Sequence, residues 1–419
     1  MRIFLSNEQE PLKNEIIISA LNKLLDEKRP KKLLILPPDY TRLHSNAGFI
    51  TNVLYHECVK RNINLDIMPA LGTHEAITLE QKNEMFGDIP FEKFLYHDWK
   101  NDVVKIGEIP ASYIEEITDG LWKKSVDCEV NRIILDESYD LILSIGQVVP
   151  HEVVGMANHA KNIFVGCGGK TMINSSHIIG AVYGMERMMG KDHTPVRKIF
   201  DYALENFLSS RPITFILTVT TCDRGKINTH GLFISDDRTG FEEAVRLSSK
   251  FNFTYLEKPI KKCVVYLDEK EFRSTWLGNK AIYRTRMAIK DGGELIILAP
   301  GVTKFGEDSE VDKLIRKYGY IGRLNILKLL NENDDLKENS GVAAHLIHGS
   351  SDSRFKIYYA VKKITKEEIR SVNFIPLDYD EIVNRYDPSK LKEGWNNVYG
   401  EEIFFISNPA LGLWMAKNK

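Results

Sequence analysis

The sequence has no apolar run long enough to cross a bilayer, no paired cysteines, no fixed-period repeat and no excess of either charge. Each absence removes a class of function. The opening MRIFLSNEQEPLKNE starts with a hydrophobic hexamer but turns acidic before a targeting segment develops, so a soluble, cytoplasmic protein is expected. The five cysteines, Cys58, Cys128, Cys167, Cys222 and Cys263, are odd in number and far apart, which argues against a disulfide framework or a paired-cysteine zinc site. With 56 Lys and Arg against 58 Asp and Glu, the net charge of -2 offers no field to gather nucleic acid or anionic lipid. Neither is expected as a partner.

What is present is length and alternation. A chain of 419 residues exceeds what one hydrophobic core usually organises, so two or three domains are expected. Short aliphatic runs at residues 33–36, 65–68, 141–145, 214–218, 263–267 and 295–298 alternate with longer amphipathic stretches. Runs apolar on both faces suit strands covered by helices, which makes the fold class α/β. A charged, broken stretch at 255–262 suggests a boundary: a first α/β domain over 1–258, a second over 259–394, and a tail, 395–419, free to return to the first.

Polar residues gather where three of these strands end. The first runs into Pro37-Pro38-Asp39-Tyr40-Thr41-Arg42, the second into Pro69-Ala70-Leu71-Gly72-Thr73-His74, and the third into Gly146-Gln147-Val148-Val149-Pro150-His151. Ligands of open α/β sheets collect beyond the carboxyl ends of strands, where loops vary over rigid roots. Asp39, Arg42, His74 and His151 could therefore share one cleft.

Each residue also has a plainer role open to it. His74 either packs at a helix entrance or exchanges protons from a rigid strand end, and His151 occupies the same kind of position. Arg42 either closes a turn on Asp39 or holds a substrate carboxylate through two charge-assisted bonds. Gly168-Gly169-Lys170-Thr171 suggests a nucleotide loop, but the required earlier glycine is Phe164, so a P-loop is rejected. Cys167 reads as a small buried hydrophobe, and Lys280 as a solvated lysine on the helix that feeds the strand at 295–298.

Taken together, Pro38-Asp39-Tyr40-Thr41-Arg42, Gly72-Thr73-His74-Glu75-Ala76-Ile77-Thr78, Pro150-His151 with Lys161 ten residues on, His177, and Lys280 before Asp291-Gly292-Gly293 resemble the nickel-pincer lactate racemase family. The resemblance implies two α/β domains with the active site in the cleft between them. It implies a nickel complex of pyridinium-3,5-bisthiocarboxylic acid mononucleotide, covalent at Lys161, with His177 as the protein ligand to nickel and Asp39 as a cofactor contact. His74 and His151 become paired acid/base groups, Arg42 the carboxylate clamp, and Lys280 a substrate contact from the second domain. Proteins that make the cofactor become expected partners, and a 2-hydroxyacid the small-molecule substrate.

The chain departs from the pattern at two places. Ala157-Asn158-His159-Ala160 stands where lactate-acting members usually carry Ser-Gly-Gly, and Trp276-Leu277 where a tyrosine-glutamine pair is expected. New polar groups near the tether and a lost amide should change which substrate is matched. Asn158, His159 and Trp276 thereby become candidate contacts to a longer, polyhydroxylated acid, and the activity implied is 2-epimerisation of a sugar acid (an aldonate). Racemisation of a smaller 2-hydroxyacid, a pincer-binding module without turnover, and a metal- or nicotinamide-dependent enzyme with look-alike loops are the competing readings.

Overall fold

A computed structural model describes residues 1–223 and 226–417, which divide into two compact units. The first comprises 1–179 and 188–252; the second comprises 180–187 and 253–419. All six aliphatic runs are strands.

The first unit is built on a six-stranded sheet in the order Arg2–Ser6, Lys226–Ser235, Ile213–Asp223, Leu141–Gln147, Lys32–Leu36, Asn64–Ile67. The last four are mutually parallel, and Lys226–Ser235 runs antiparallel between its two neighbours. Alternation sorts the side chains: Leu33, Ile35, Leu141, Leu143 and Ile145 enter one core with Ile17, Leu21, Leu24 and Leu25 of the helix Asn14–Lys28 and Ile50 and Leu54 of the helix Ala47–Lys60. Those helical positions recur at the three- and four-residue spacing of a single apolar stripe. Each such side chain, removed from water, contributes about 1.5–3 kcal/mol before the entropy cost. On the other face, the helices Pro195–Phe207 and Thr239–Phe251 supply Arg197 and Phe241, and Phe215 of the sheet points toward them.

Chain order creates the crevice. After Lys32–Leu36 the chain crosses to Asn64–Ile67 on one side, and later to Leu141–Gln147 on the other, so the connections diverge at the carboxyl end of Lys32–Leu36. Such a switch point is where doubly wound sheets bind ligands. The loops there are laced together: Ala70 N–H donates to Pro37 O at 2.8 Å, and Gly72 N–H to Gly166 O at 2.8 Å. Asn162 is the central tie. Its buried amide donates to Leu36 O at 3.1 Å and to Ser144 Oγ at 3.0 Å, joining the end of one strand and the middle of its neighbour to the segment that carries Lys161.

The second unit has its own six-stranded sheet, Ile375–Asp378, Lys356–Val361, Ile289–Ala299, Ile260–Tyr266, Glu401–Ile406, Gly394–Val398, parallel except for the last strand. The tail therefore does not return to the first unit. Glu401–Ile406 pairs with Ile260–Tyr266, and Leu413–Ala416 with Phe253–Leu256, because Ile403 and Phe405 complete an apolar layer with Val264, Ile296 and Leu298. Asn418 and Lys419, the last residues of that expected segment, lie outside the described residues. The segment 180–187 also groups here: Arg286 Nε donates to Glu186 Oε1 at 2.6 Å, and the Arg323 guanidinium donates to Val182 O.

Replacing Asn162 by Ala leaves Leu36 O and Ser144 Oγ without their buried donor. We predict a loss of about 2 kcal/mol in unfolding free energy, read as a lower urea midpoint at constant slope. A midpoint within experimental error of wild type would show that the tie is dispensable.

Candidate active site

The strand Lys32–Leu36 ends in two prolines that cannot extend the ladder, and Pro38 makes a single parallel bridge to Ala70. Asp39, in an extended conformation, then starts the short helix Tyr40–Ser45. Its carboxylate accepts from Thr41 Oγ1 at 2.6 Å on one oxygen and is paired with His74 Nδ1 on the other. Burial by itself would raise the Asp39 carboxyl; the imidazole of His74, the Arg42 guanidinium and the Thr41 hydroxyl outweigh it and hold the group at about 2. The hydrogen bonds of the Asp39 carboxylate thus go to His74 and Thr41; Arg42 closes the turn through its backbone N–H, which donates to Asp39 O at 3.0 Å, and reaches the carboxylate through charge. Facing a carboxylate, His74 Nδ1 carries the proton, and a neutral ring presents a basic Nε2.

His151 has the opposite arrangement. It lies in a two-residue strand, Pro150–His151, paired antiparallel with Gly155–Met156, and its Nδ1 accepts the Val153 N–H at 3.2 Å. A neutral His151 therefore carries its proton on Nε2. Glu152 Oε2 stands 3.9 Å from that Nδ1. The hairpin is braced from behind, with Thr194 Oγ1 donating to Val154 O at 2.9 Å and Arg197 Nη2 to Met156 O at 2.6 Å.

Lys161 follows a tight reversal in which Asn158 and His159 both take left-handed backbone conformations, φ 70° and 55°. The Asn158 amide occupies the space a side chain at 146 would need: a Cβ on Gly146 would sit 1.9 Å from Asn158 Nδ2. Lys161 then leads into the π-helical turn Asn162–Gly166, a rare conformation that recurs at functional sites. Burial first, then the Arg42 charge, lowers the Lys161 ammonium to about 8, against the opposing pull of Glu152 and Asp39. A fraction of neutral amine near neutral pH is what a lysine needs to act as a nucleophile.

His177 is carried by the helix Lys170–Tyr183. Its Nδ1 donates to Ile173 O at 2.6 Å, which fixes the tautomer that offers Nε2 as a donor atom to a metal. Burial, with a contribution from the Lys161 charge, lowers this imidazole to about 4, so it is neutral at physiological pH.

Asp39, Arg42, His74, His151, Lys161 and His177 therefore converge on the carboxyl ends of adjacent strands. Glu152, which acts on both Lys161 and His177, joins them without having been singled out by sequence. Its one signal was adjacency to His151. Asn158 is buried at the reversal. His159 is placed differently from the substrate contact expected of it: its ring is enclosed against Phe215 at 4.0 Å and Phe241 at 5.3 Å, 3.8 Å from the Asp201 carboxylate. Burial and the charges of Arg197 and Arg238 keep it neutral. Trp276 and Lys280 belong to the second unit, where Lys280 is buried with its ammonium 5.5 Å from the centre of the Phe272 ring.

Residues 6–189, which hold all six converging residues, match the family model described as the lactate racemase N-terminal domain. Over that region the chain is similar to the lactate racemase family. No curated protein matches it. Among solved structures, a Thermotoga maritima protein determined as a structural-genomics target is similar with a TM-score of 0.84 at 24% identity, covering 99% of this chain and 100% of that one. The lactate racemase apoprotein of Thermoanaerobacterium thermosaccharolyticum gives 0.69 at 17% identity, covering 97% of this chain and 93% of that one. At these identities the likeness is one of fold. Trp276 and Lys280 lie beyond the matched region.

The depressed Asp39 carboxyl has a stability consequence with a definite sign. Its contribution is complete above the unfolded value of about 4 and is lost as pH falls toward about 2. Between pH ~5 and ~2, wild type should lose about 2 kcal/mol more than Asp39→Asn, measured by denaturant titration at stepped pH. Parallel curves for the two proteins would mean that the Asp39 to His74 pair does not form in solution.

Proposed function

We propose that this protein inverts the C2 configuration of a 2-hydroxyacid using a nickel-pincer nucleotide tethered at Lys161. The observation that carries the reading is the different engagement of two histidines at neighbouring strand ends: His74 Nδ1 is paired with the Asp39 carboxylate, whereas His151 Nδ1 accepts the Val153 N–H. An inversion that passes through a planar centre needs one group to take a proton and another to return it, and two imidazoles held by different partners are suited to divide those roles.

The residues present fit the cofactor. Among the described residues no group of three or more His, Cys, Asp or Glu side chains is placed to hold a metal ion, so a metal there would depend on donors brought by the cofactor. His177, neutral and with its Nδ1 engaged by Ile173 O, would hold nickel through Nε2. Lys161, with its lowered ammonium, is suited to form the covalent link, and Asn162 fixes its root. When bound, the group supplies a reversible hydride acceptor.

That chemistry answers a physical difficulty. Removing the C2 proton as such would create a second negative charge beside the carboxylate, whereas removing the C2 hydrogen as hydride together with the hydroxyl proton leaves a neutral ketone. The protein's part is to orient and to move protons. Arg42 would hold the substrate carboxylate, His74 Nε2 would take the hydroxyl proton with Asp39 steadying the imidazolium that results, and His151 Nε2 would return a proton to the same oxygen. Lys280 and Trp276 enter as expected substrate contacts. A sugar acid is the substrate favoured by the departures around Lys161 and Trp276; the enclosure of His159 transfers the weight of that argument to Trp276 and Asn158.

After co-expression with the cofactor-making enzymes, intact-protein mass spectrometry should find an addition that maps to Lys161. Incubating that protein with a panel of 2-hydroxyacids in deuterated water should show inversion at C2 by NMR, with aldonates leading. His74→Ala and His151→Ala should each slow turnover about a hundredfold or more while keeping the addition. Activity without modification at Lys161 would refute the tether, turnover of small acids alone would refute the aldonate assignment, and modification without any turnover would leave a binding module.

A further inference from the structure

Trp276 rests on a histidine that nothing in the motif pattern marks. The His345 imidazole stacks on the indole with ring centres 4.1 Å apart and planes 25° apart. His345 is buried, and both ring nitrogens are engaged by tyrosine hydroxyls: Tyr283 at Nδ1 and Tyr320 at Nε2, each at 2.8 Å. Tyr320 is bonded in turn to Thr275 Oγ1 at 3.0 Å, and Thr275 donates its hydroxyl hydrogen to Phe305 O at 2.9 Å.

The donors can be assigned by counting hydrogens. With the single hydroxyl hydrogen of Thr275 directed at Phe305 O, Tyr320 must donate to Thr275, and so accepts from His345 Nε2–H. His345 Nδ1 is then the acceptor of the Tyr283 hydroxyl. The ring is held in one tautomer and one plane. Trp276 is fixed from its backbone as well, since its N–H donates to Phe305 O at 2.9 Å and Thr275 N–H to Lys304 O at 3.1 Å. Phe305 thus receives both the Thr275 hydroxyl and the Trp276 amide, and His345 sets the indole that follows.

A buried, fully tethered imidazole beneath a partly exposed indole is more than core filling requires, since an aliphatic side chain would pack there without two tyrosine hydroxyls to satisfy. We propose that His345 is a positioning residue that holds the Trp276 indole as a rigid platform for the carbon chain of a polyhydroxylated acid. An extended polyol lays its C–H groups against an aromatic plane and turns its hydroxyls toward polar neighbours, and such contacts reward a plane fixed in advance. Lys280, four residues along, supplies a cation from the same segment. The inference rests on the reading of Trp276 as a substrate contact.

The test follows Trp276 directly. The full chain, purified after co-expression with the cofactor-making enzymes, is labelled with 5-fluorotryptophan; of the signals from its five tryptophans, the one missing in Trp276→Phe is assigned. D-gluconate should shift that signal in wild type and lactate should not. In His345→Ala the signal should move even without ligand, and gluconate should bind about three- to tenfold more weakly, with KM raised and kcat kept. Tyr283→Phe and Tyr320→Phe, which each remove one hydroxyl and keep the ring, should give smaller changes in the same direction and stand in if His345→Ala does not fold. An unmoved Trp276 signal in these variants overturns the positioning role. A wild-type signal that ignores gluconate overturns the platform, whatever the epimerase assay shows; gluconate binding at Trp276 without C2 inversion would sink the epimerase reading alone.

Discussion

The arrangement of the site depends on one buried amide. Asn162 bonds to the last residue of one strand and to the middle of its neighbour, and so ties the segment after Lys161 to the rigid part of the sheet. An amide buried without partners costs about 1–3 kcal/mol, so the site's geometry and the unit's stability are maintained by the same contacts. The left-handed reversal at Asn158 and His159 and the π-helical turn after Lys161 are both unfavourable conformations in isolation. They persist because that anchor, the hairpin braced by Thr194 and Arg197, and the aromatic enclosure of His159 leave the chain no better path.

Electrostatics then assigns each side chain a protonation state. One ionised carboxylate, Asp39, is kept charged against burial by His74 and Arg42, while His177 and His159 are kept neutral chiefly by burial. Lys161 lies between, pulled toward neutrality by burial and Arg42 and toward charge by Glu152 and Asp39. The histidines differ in their hydrogen-bond partners: a carboxylate for His74, a peptide N–H for His151, a peptide carbonyl for His177. Three identical side chains thereby acquire three different chemistries.

Much of this was legible in advance for a local reason. A strand apolar on both faces, followed within a few residues by proline or glycine and a polar side chain, announces itself over ten residues, which is why the runs at 33–36, 65–68 and 141–145 and the loops carrying Asp39, His74 and His151 could be read directly. The larger part of the first compact unit ends at 252. The family resemblance rested on the order of short motifs and is supported by the match over residues 6–189.

Composition and pattern by themselves determined the α/β class, the strand positions and the set of residues at the strand ends, because hydrophobic periodicity and turn chemistry are properties of neighbouring residues. Which partner each of those residues takes was decided only by the tertiary structure. The Asp39 carboxylate meeting His74, His159 turning into an aromatic core, His345 lying beneath Trp276, and the tail adding a strand to the second unit all depend on chain segments distant in sequence. Their choice is made by the closure of the whole sheet and by the competition among buried polar groups for a limited supply of partners, and neither is written in any short window of residues.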